Sequence, residues 1–172
     1  MDSWDKLTID TPEQTALEYP IAGLGSRFLA LLADTECEEL EDALRVNLLG
    51  PFRLTKALFG ALATSARDGR GAAVINISSD AAINAYSGWG AYGVSKAALR
   101  HMTAVWAEEA KSEGVSFLSI DPGDMDTPLH ALAIPDADPR TLKRPGRAAM
   151  EIVTALLAAW PNYAARAVAE QP

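Results

Sequence analysis

The sequence predicts an α/β fold in which buried parallel strands lie against helices. Three observations carry this reading. Two short apolar runs, residues 72–78 and 115–120, have the length and makeup of strands buried in a parallel sheet. Helical periodicity fills the stretches before, between and after them. Each run ends in small polar or turn-forming residues, Ser78-Ser79 and Asp121-Pro122-Gly123. Parallel sheets present ligands at the carboxyl ends of their strands, so both runs deliver polar groups where chemistry would occur.

Composition narrows the function. The chain has 172 residues, enough to bury a core as one domain. Its net charge of -8 argues against nucleic acid and anionic membrane as partners. The single cysteine, Cys37, cannot form an internal disulfide and fits a reducing cytoplasm. No apolar run reaches the roughly 18 residues of a spanning helix, and the acidic, polar start does not read as a signal peptide.

Taken in order, residues 1–29 are the hardest to assign. Lys6–Asp10 reads as a short strand stopped by Thr11-Pro12, and Pro12 to Tyr19 as one or two helical turns. Residues 27–33 are a loop or a short helix. Thr35-Glu36-Cys37-Glu38 reads as a capping box, with Thr35 at the N-cap and Glu38 at N3. A long helix follows to about Thr64, with Leu40, Leu44, Leu48, Leu54, Leu58 and Leu62 at helical spacing. Pro51 lies inside it. Proline has no N–H to give and its ring presses on the carbonyl four residues back, so a kink that frees the Asn47 carbonyl is expected.

Asp68-Gly69-Arg70-Gly71 is a turn into the first buried strand. Residues 80–90 read as a loop and residues 91–112 as a helix. Glu113-Gly114 stops that helix, and the second buried strand follows. Ile134 to Pro145, with three prolines, reads as a mobile loop, and Arg147 to Trp160 as a final amphipathic helix. The tail beyond Pro161 holds at most one edge strand. Asp121, Asp124, Asp126 and His130 form no complete ligand set, and no metal is expected.

The chemistry concentrates between Ser79 and Lys96. Tyr92 and Lys96 are four residues apart, hence on one helix face. An ammonium beside a phenol favours the phenolate and lowers its pKa from about 10. A tyrosine poised that way passes a proton near neutral pH. Ser79, thirteen residues before it at the mouth of the strand, could hold the same substrate oxygen; Ser78 reads as structural. Taken alone, the pair reads more readily as a lysine stem snorkelling past a half-buried tyrosine.

Its surroundings decide between the two. Asn47-Leu48-Leu49-Gly50, the strand Val74-Ile75-Asn76-Ile77-Ser78-Ser79, the block Tyr92-Gly93-Val94-Ser95-Lys96 and the turn Asp121-Pro122-Gly123-Asp124-Met125-Asp126-Thr127 occur in that order. In order and spacing they resemble the short-chain dehydrogenase/reductase family over about residues 30–160. The resemblance implies a partial doubly wound, Rossmann-like parallel sheet flanked by helices. It implies hydride transfer between NAD or NADP and an alcohol or carbonyl of a small molecule. Asn47, Ser79, Tyr92 and Lys96 would be catalytic, with Asn47 anchoring a relay water. Tyr92, Lys96, Pro122, Gly123, Met125 and Thr127 would hold the cofactor. It also implies a homo-oligomer, a dimer formed through the helices around residues 36–64 and 91–112; the same small residues equally suit packing within one chain.

The sequence departs from that family in one large respect. The strand, Gly-rich turn and helix that hold the dinucleotide phosphates have no counterpart: Ala22-Gly23-Leu24-Gly25 lacks the third glycine and a preceding strand. The family's N-N-A-G stretch is replaced by Tyr19-Pro20-Ile21. Alternatives to a self-sufficient enzyme therefore stay open. These are a truncated or non-catalytic homologue used for association, or a fragment that needs further chain to complete the cofactor site.

Overall fold

The computed structural model describes residues 6–10, 16–20 and 30–159. Strand β1 (Lys6–Asp10) is where the sequence places it. It pairs antiparallel with β2 (Ala16–Pro20), Lys6 opposite Pro20 and Asp10 opposite Ala16. The helical turns expected over Pro12 to Tyr19 are thus replaced, over Ala16–Pro20, by an extended segment. Four residues, Ala-Leu-Glu-Tyr, are too few to separate a strand from a short helix, and cross-strand pairing decides. Residues 22–25, with their two glycines, and the tail beyond residue 159 lie outside the described residues.

The expected long helix is three pieces. Helix α1 (Cys37–Leu44) begins one residue later than a Thr35 cap would place it, and its N-cap, Glu36, makes no side-chain capping bond. The Thr35 hydroxyl instead donates to the Leu31 carbonyl, 2.9 Å away, and closes a 3₁₀ turn at Leu32–Asp34. The capping box fails because this preceding turn claims its threonine. Residues Arg45–Leu49 form a π-turn, in which the Gly50 N–H reaches five residues back to the Arg45 carbonyl. Helix α2 (Gly50–Arg67) then carries Pro51 in its first turn, where a missing N–H costs nothing. The kink expected at Pro51 is thus absorbed by a widened turn, a common solution at functional sites.

Strands β3 (Ala72–Ile77) and β4 (Val115–Ile120) pair in parallel, Ala72 opposite Val115 and Ile77 opposite Ile120. Together with the flanking helices they form a partial doubly wound α/β layer, as expected. Between the strands runs α3 (Gly90–Glu109), followed by a 3₁₀ turn at Lys111–Glu113. Gly114 ends that turn with φ +73°. One face of the two strands meets α2 and α3. There Ala63, Ala72, Ala110, Val115 and Phe117 are buried, and the Trp106 ring stacks on Phe117 at 5.6 Å and 7°.

The same face carries a buried polar pair. Asn76 donates from Nδ2 to the Thr103 hydroxyl, 2.9 Å away, and Thr103 passes its own proton to the Leu99 carbonyl. Thr103→Val removes the acceptor and strands the Asn76 amide, which is expected to cost about 1–3 kcal/mol. Urea unfolding of the variant measures it, and a loss under about 0.5 kcal/mol would show the amide finding another acceptor.

Beyond β4 the chain turns at Pro122-Gly123, forms the short helix α4 (Pro128–Ala133) and ends its described part in α5 (Pro145–Ala159). The stretch expected to be a mobile loop over residues 134–145 is tied down at its end. Lys143 donates its N–H to the Asp124 carbonyl and accepts at its own carbonyl from the Asp126 N–H, both at 2.9 Å. That two-bond ladder joins residues far apart in sequence, which local proline content cannot reveal. Among the described residues no helix is long and apolar enough to cross a membrane.

Candidate active site

The carboxyl ends of β3 and β4 open into a cavity of about 720 Å³. Ser79, Tyr92, Lys96, Pro122, Gly123, Met125 and Thr127 all line it. Asn47 does not.

Ser79 follows the last residues of β3 and N-caps a 3₁₀ turn at Asp80–Ala82, accepting from the Ala81 N–H at 3.2 Å. Its hydroxyl donates to the Asp80 carboxylate at 3.2 Å and lies close enough to the Tyr92 phenol to lower its pKa. The neighbouring Ser78 is 5 % exposed and its hydroxyl has no partner among the described residues. Helix α3 approaches this strand end closely. A Cβ on Gly93 would sit 3.1 Å from the Ala81 carbonyl, so glycine there lets Tyr92 come within reach of Ser79. The Tyr92 ring meets the Trp89 ring edge-on, centroids 5.8 Å apart.

Lys96 lies one turn further along α3. Its Nζ donates to the Ile77 carbonyl at 2.8 Å and stands 5.7 Å from the centre of the Tyr92 ring. The Tyr92 phenol is pushed up from its ordinary value of 10, first by burial; the Ser79 hydrogen bond pulls it down, and Asp121 and Asp80 push it up further. The Lys96 ammonium, bonded to a carbonyl, stands over the ring face. Burial in turn pulls the Lys96 ammonium down. Both charged forms are disfavoured by desolvation.

Asn47 acts from behind α3. Its amide donates to the Ser95 hydroxyl at 2.9 Å, and Ser95, fully buried, donates to the Tyr92 carbonyl at 2.7 Å. The π-turn is thereby anchored to the backbone of the tyrosine itself. Ser95 was visible in the Tyr-x-x-Ser-Lys block, yet its link to Asn47 spans 48 positions and leaves no local pattern.

The turn after β4 is built by its own residues. Gly123 has φ +74°, and its N–H donates to the Asp121 carboxylate at 2.9 Å. The Thr127 hydroxyl caps α4 by accepting from the His130 N–H at 3.2 Å. Asp126 pairs with Arg144 at 3.0 Å. Lys143, which the sequence reading missed, props the turn: its Nζ donates to the Pro122 carbonyl at 2.7 Å and pairs with Glu151 at 2.6 Å. Only a charge pattern across distant segments could have pointed to it.

Comparisons with known proteins agree with this geometry. A family model described as short chain dehydrogenase matches residues 21–137. The chain is 34 % identical over 115 residues to a chanoclavine-I dehydrogenase of Penicillium roqueforti, covering 67 % of this chain and 43 % of that protein. A short chain dehydrogenase from Salmonella enterica superposes with a TM-score of 0.65 at 31 % identity, over 73 % of this chain and 50 % of the other. One from Shigella flexneri, solved with NADP, gives 0.62 at 29 % identity, over 68 % and 47 %. The chain therefore spans about half the length of the relatives it matches, or less. With the matched stretch reaching from residue 21 to residue 137 and the same fold in the solved relatives, the chain belongs to the short-chain dehydrogenase family.

Proposed function

We propose that this chain carries the catalytic part of an NAD(P)-dependent oxidoreductase acting on an alcohol or carbonyl of a small molecule. The observation that carries the reading is the meeting of Ser79, Tyr92, Lys96 and the Pro122-Gly123 turn around one cavity. Tyr92 is the proton donor and acceptor at the reacting oxygen. Ser79, on the same cavity wall, holds that same oxygen. Lys96, the one lysine or arginine among the described residues lining the cavity, holds the nicotinamide ribose. Asn47 positions Tyr92 through Ser95, and its carbonyl, left without the N–H of Pro51, is the anchor for a relay water.

The residues at hand fit the nicotinamide end of such a cofactor. The ladder to Lys143 uses backbone groups of Asp124 and Asp126 and turns those of Met125 to the opposite edge, where they can meet a carboxamide. Thr127, by capping α4, fixes the end of that segment. Bound there, the nicotinamide supplies or accepts the hydride, chemistry that belongs to the cofactor. The cavity also holds the phenol in its protonated form at neutral pH, which suits carbonyl reduction.

The chain is assigned to the cytoplasm on its one exposed thiol and acidic composition. Self-association through α2 and α3 is supported by large apolar side chains left exposed on them, Phe52 at 37 %, Val105 at 41 % and Val94 at 48 %. Fluorescence titration of the 172-residue chain with NADH and NADPH tests the central claim. Micromolar binding together with carbonyl-dependent oxidation of the cofactor is expected. No binding up to millimolar cofactor would defeat the claim that the chain is an enzyme by itself.

A further inference from the structure

Part of the cavity wall has no role in moving the proton. Tyr86 lines it and, though large and aromatic, is 46 % exposed. The ring is nonetheless held in place. Its hydroxyl donates to the Asp80 carboxylate at 2.5 Å, a charge-assisted bond, and the ring meets Trp89 edge-on at 6.1 Å. The Asp80 bond pushes the Tyr86 phenol up from its ordinary value of 10, so at neutral pH the hydroxyl stays the donor. The other Asp80 oxygen accepts from the Ser79 hydroxyl at 3.2 Å, which ties this wall to the reacting end of the cavity. Leu129 of α4 and Ile134, just past its end, line the same cavity and are also exposed. An exposed ring that the fold immobilises is ordered before any ligand arrives, so a ligand that covers it gains without ordering it.

We infer that Tyr86, held by Asp80, is the specificity-determining residue of the cavity, and that the group it takes is an uncharged aromatic ring on the carbonyl substrate. Aromatic rings favour edge-on or offset contacts with one another, and Tyr86 with Trp89 offers both faces and edges. The charge of the wall excludes an anionic body. Asp80, Asp121 and Asp124 line the cavity against the single ammonium of Lys96, which is already bonded to the Ile77 carbonyl. Nor is a carboxylate set aside for a cation. Asp80 serves Tyr86 and Ser79, and Asp121 accepts from the Gly123 N–H. Asp124 is 74 % exposed, where solvent screens it.

Placing the carbonyl at Tyr92 rests on the oxidoreductase reading, so the test reads binding, with turnover followed separately. Acetophenone and cyclohexyl methyl ketone differ in the aromaticity of one ring; 4-acetylbenzamide and 4-acetylbenzoate differ in one charge. Their affinities for wild type, Tyr86→Ala, Tyr86→Phe and Asp80→Asn are compared by NMR titration with and without NADPH. Wild type is expected to prefer acetophenone to the cyclohexyl ketone about three- to tenfold, the worth of one aromatic pair. It should prefer the amide to the carboxylate about fivefold. The ring preference vanishes in Tyr86→Ala and survives in part in Tyr86→Phe, whose ring is no longer tied. Asp80→Asn, whose amide oxygen still accepts from Tyr86, keeps the ring preference and narrows the charge preference about twofold. Four results overturn the assignment: no ring preference in wild type, a ring preference that persists in Tyr86→Ala, the carboxylate bound as tightly as the amide, or no ketone bound at millimolar concentration. A chain that binds acetophenone through Tyr86 yet never oxidises NADPH supports the role of Tyr86 and sinks the oxidoreductase reading. Ketone-dependent oxidation of NADPH without a ring preference does the reverse.

Discussion

Tyr92→Phe is expected to lower turnover by about 10²- to 10⁴-fold while leaving fold and cofactor affinity unchanged. The substitution keeps the ring that packs edge-on against Trp89 and deletes only the phenol oxygen. Everything that builds the site around it, from the Asn47–Ser95 anchor to the Lys96–Ile77 bond, is backbone or another side chain and stays. The pH dependence gives a second reading of the same group. Burial, with Asp121 and Asp80, raises the phenol above 10. At neutral pH Tyr92 is therefore protonated, ready to donate to a carbonyl. The reverse reaction needs the phenolate, so alcohol oxidation should climb about tenfold per pH unit below the phenol's pKa. An oxidation rate flat between about pH 7 and 9 would mean the phenol is already ionised, against the burial argument. Stability follows the same sign. A tyrosine whose folded pKa lies above its unfolded value of about 10 loses its stabilising contribution as pH rises through the folded value. Tyr92→Phe should blunt the alkaline loss of stability in that range, as thermal unfolding followed from pH 9 upward would report.

What could be read from the sequence was local, and what could not was long-range. The strands β3 and β4 were legible because short apolar runs between turns leave few alternatives, and Tyr92 with Lys96 because four residues make one helical turn. Pro51 announced a disturbance at Asn47, but not that a π-turn would absorb it, since either a kink or a wider turn relieves the same clash. The capping box at Thr35 and the helical turns at Pro12 to Tyr19 failed for one reason: a local motif lost to a competing contact, the Leu31 carbonyl in one case and β1 in the other. The most consequential misses are electrostatic. Spacing put Lys96 on the Tyr92 face, and the bond its ammonium makes to the carbonyl of Ile77, nineteen residues earlier, leaves no local pattern. Lys143 supports the Pro122 carbonyl across 21 positions, and no periodicity connects them. His130 was noted only as part of an unconvincing metal set. That its two ring nitrogens are buried is something a sequence does not carry.

Phe117→Ala is expected to cost about 3–5 kcal/mol, the range for emptying an aromatic site in a packed core. Phe117 is 8 % exposed and faces the same side of β4 as Val115. Its ring lies flat on Trp106, 7° from parallel, and Trp106 in turn meets Phe59 of α2 at 5.3 Å. One side chain thus joins β4 to α3 directly and to α2 through the tryptophan. Apart from Val115, the other buried members of the cluster are alanines, Ala63, Ala72 and Ala110, with no rotamer that could swing into the space. The cavity would therefore stay open, which places the cost toward the upper part of the range, where relaxation is poor. Phe117→Leu keeps most of the volume and should lose about 1–1.5 kcal/mol, chiefly the stacking. Urea unfolding of both variants separates the effects, and a loss under about 2 kcal/mol for alanine would show that α3 settles into the gap. The site provides an internal check. Tyr92 sits at the opposite end of α3 from Trp106, so a helix that shifts to fill the cavity should weaken catalysis as well as stability. If instead the cavity persists, Phe117→Ala loses stability alone, and turnover per folded molecule stays at the wild-type value.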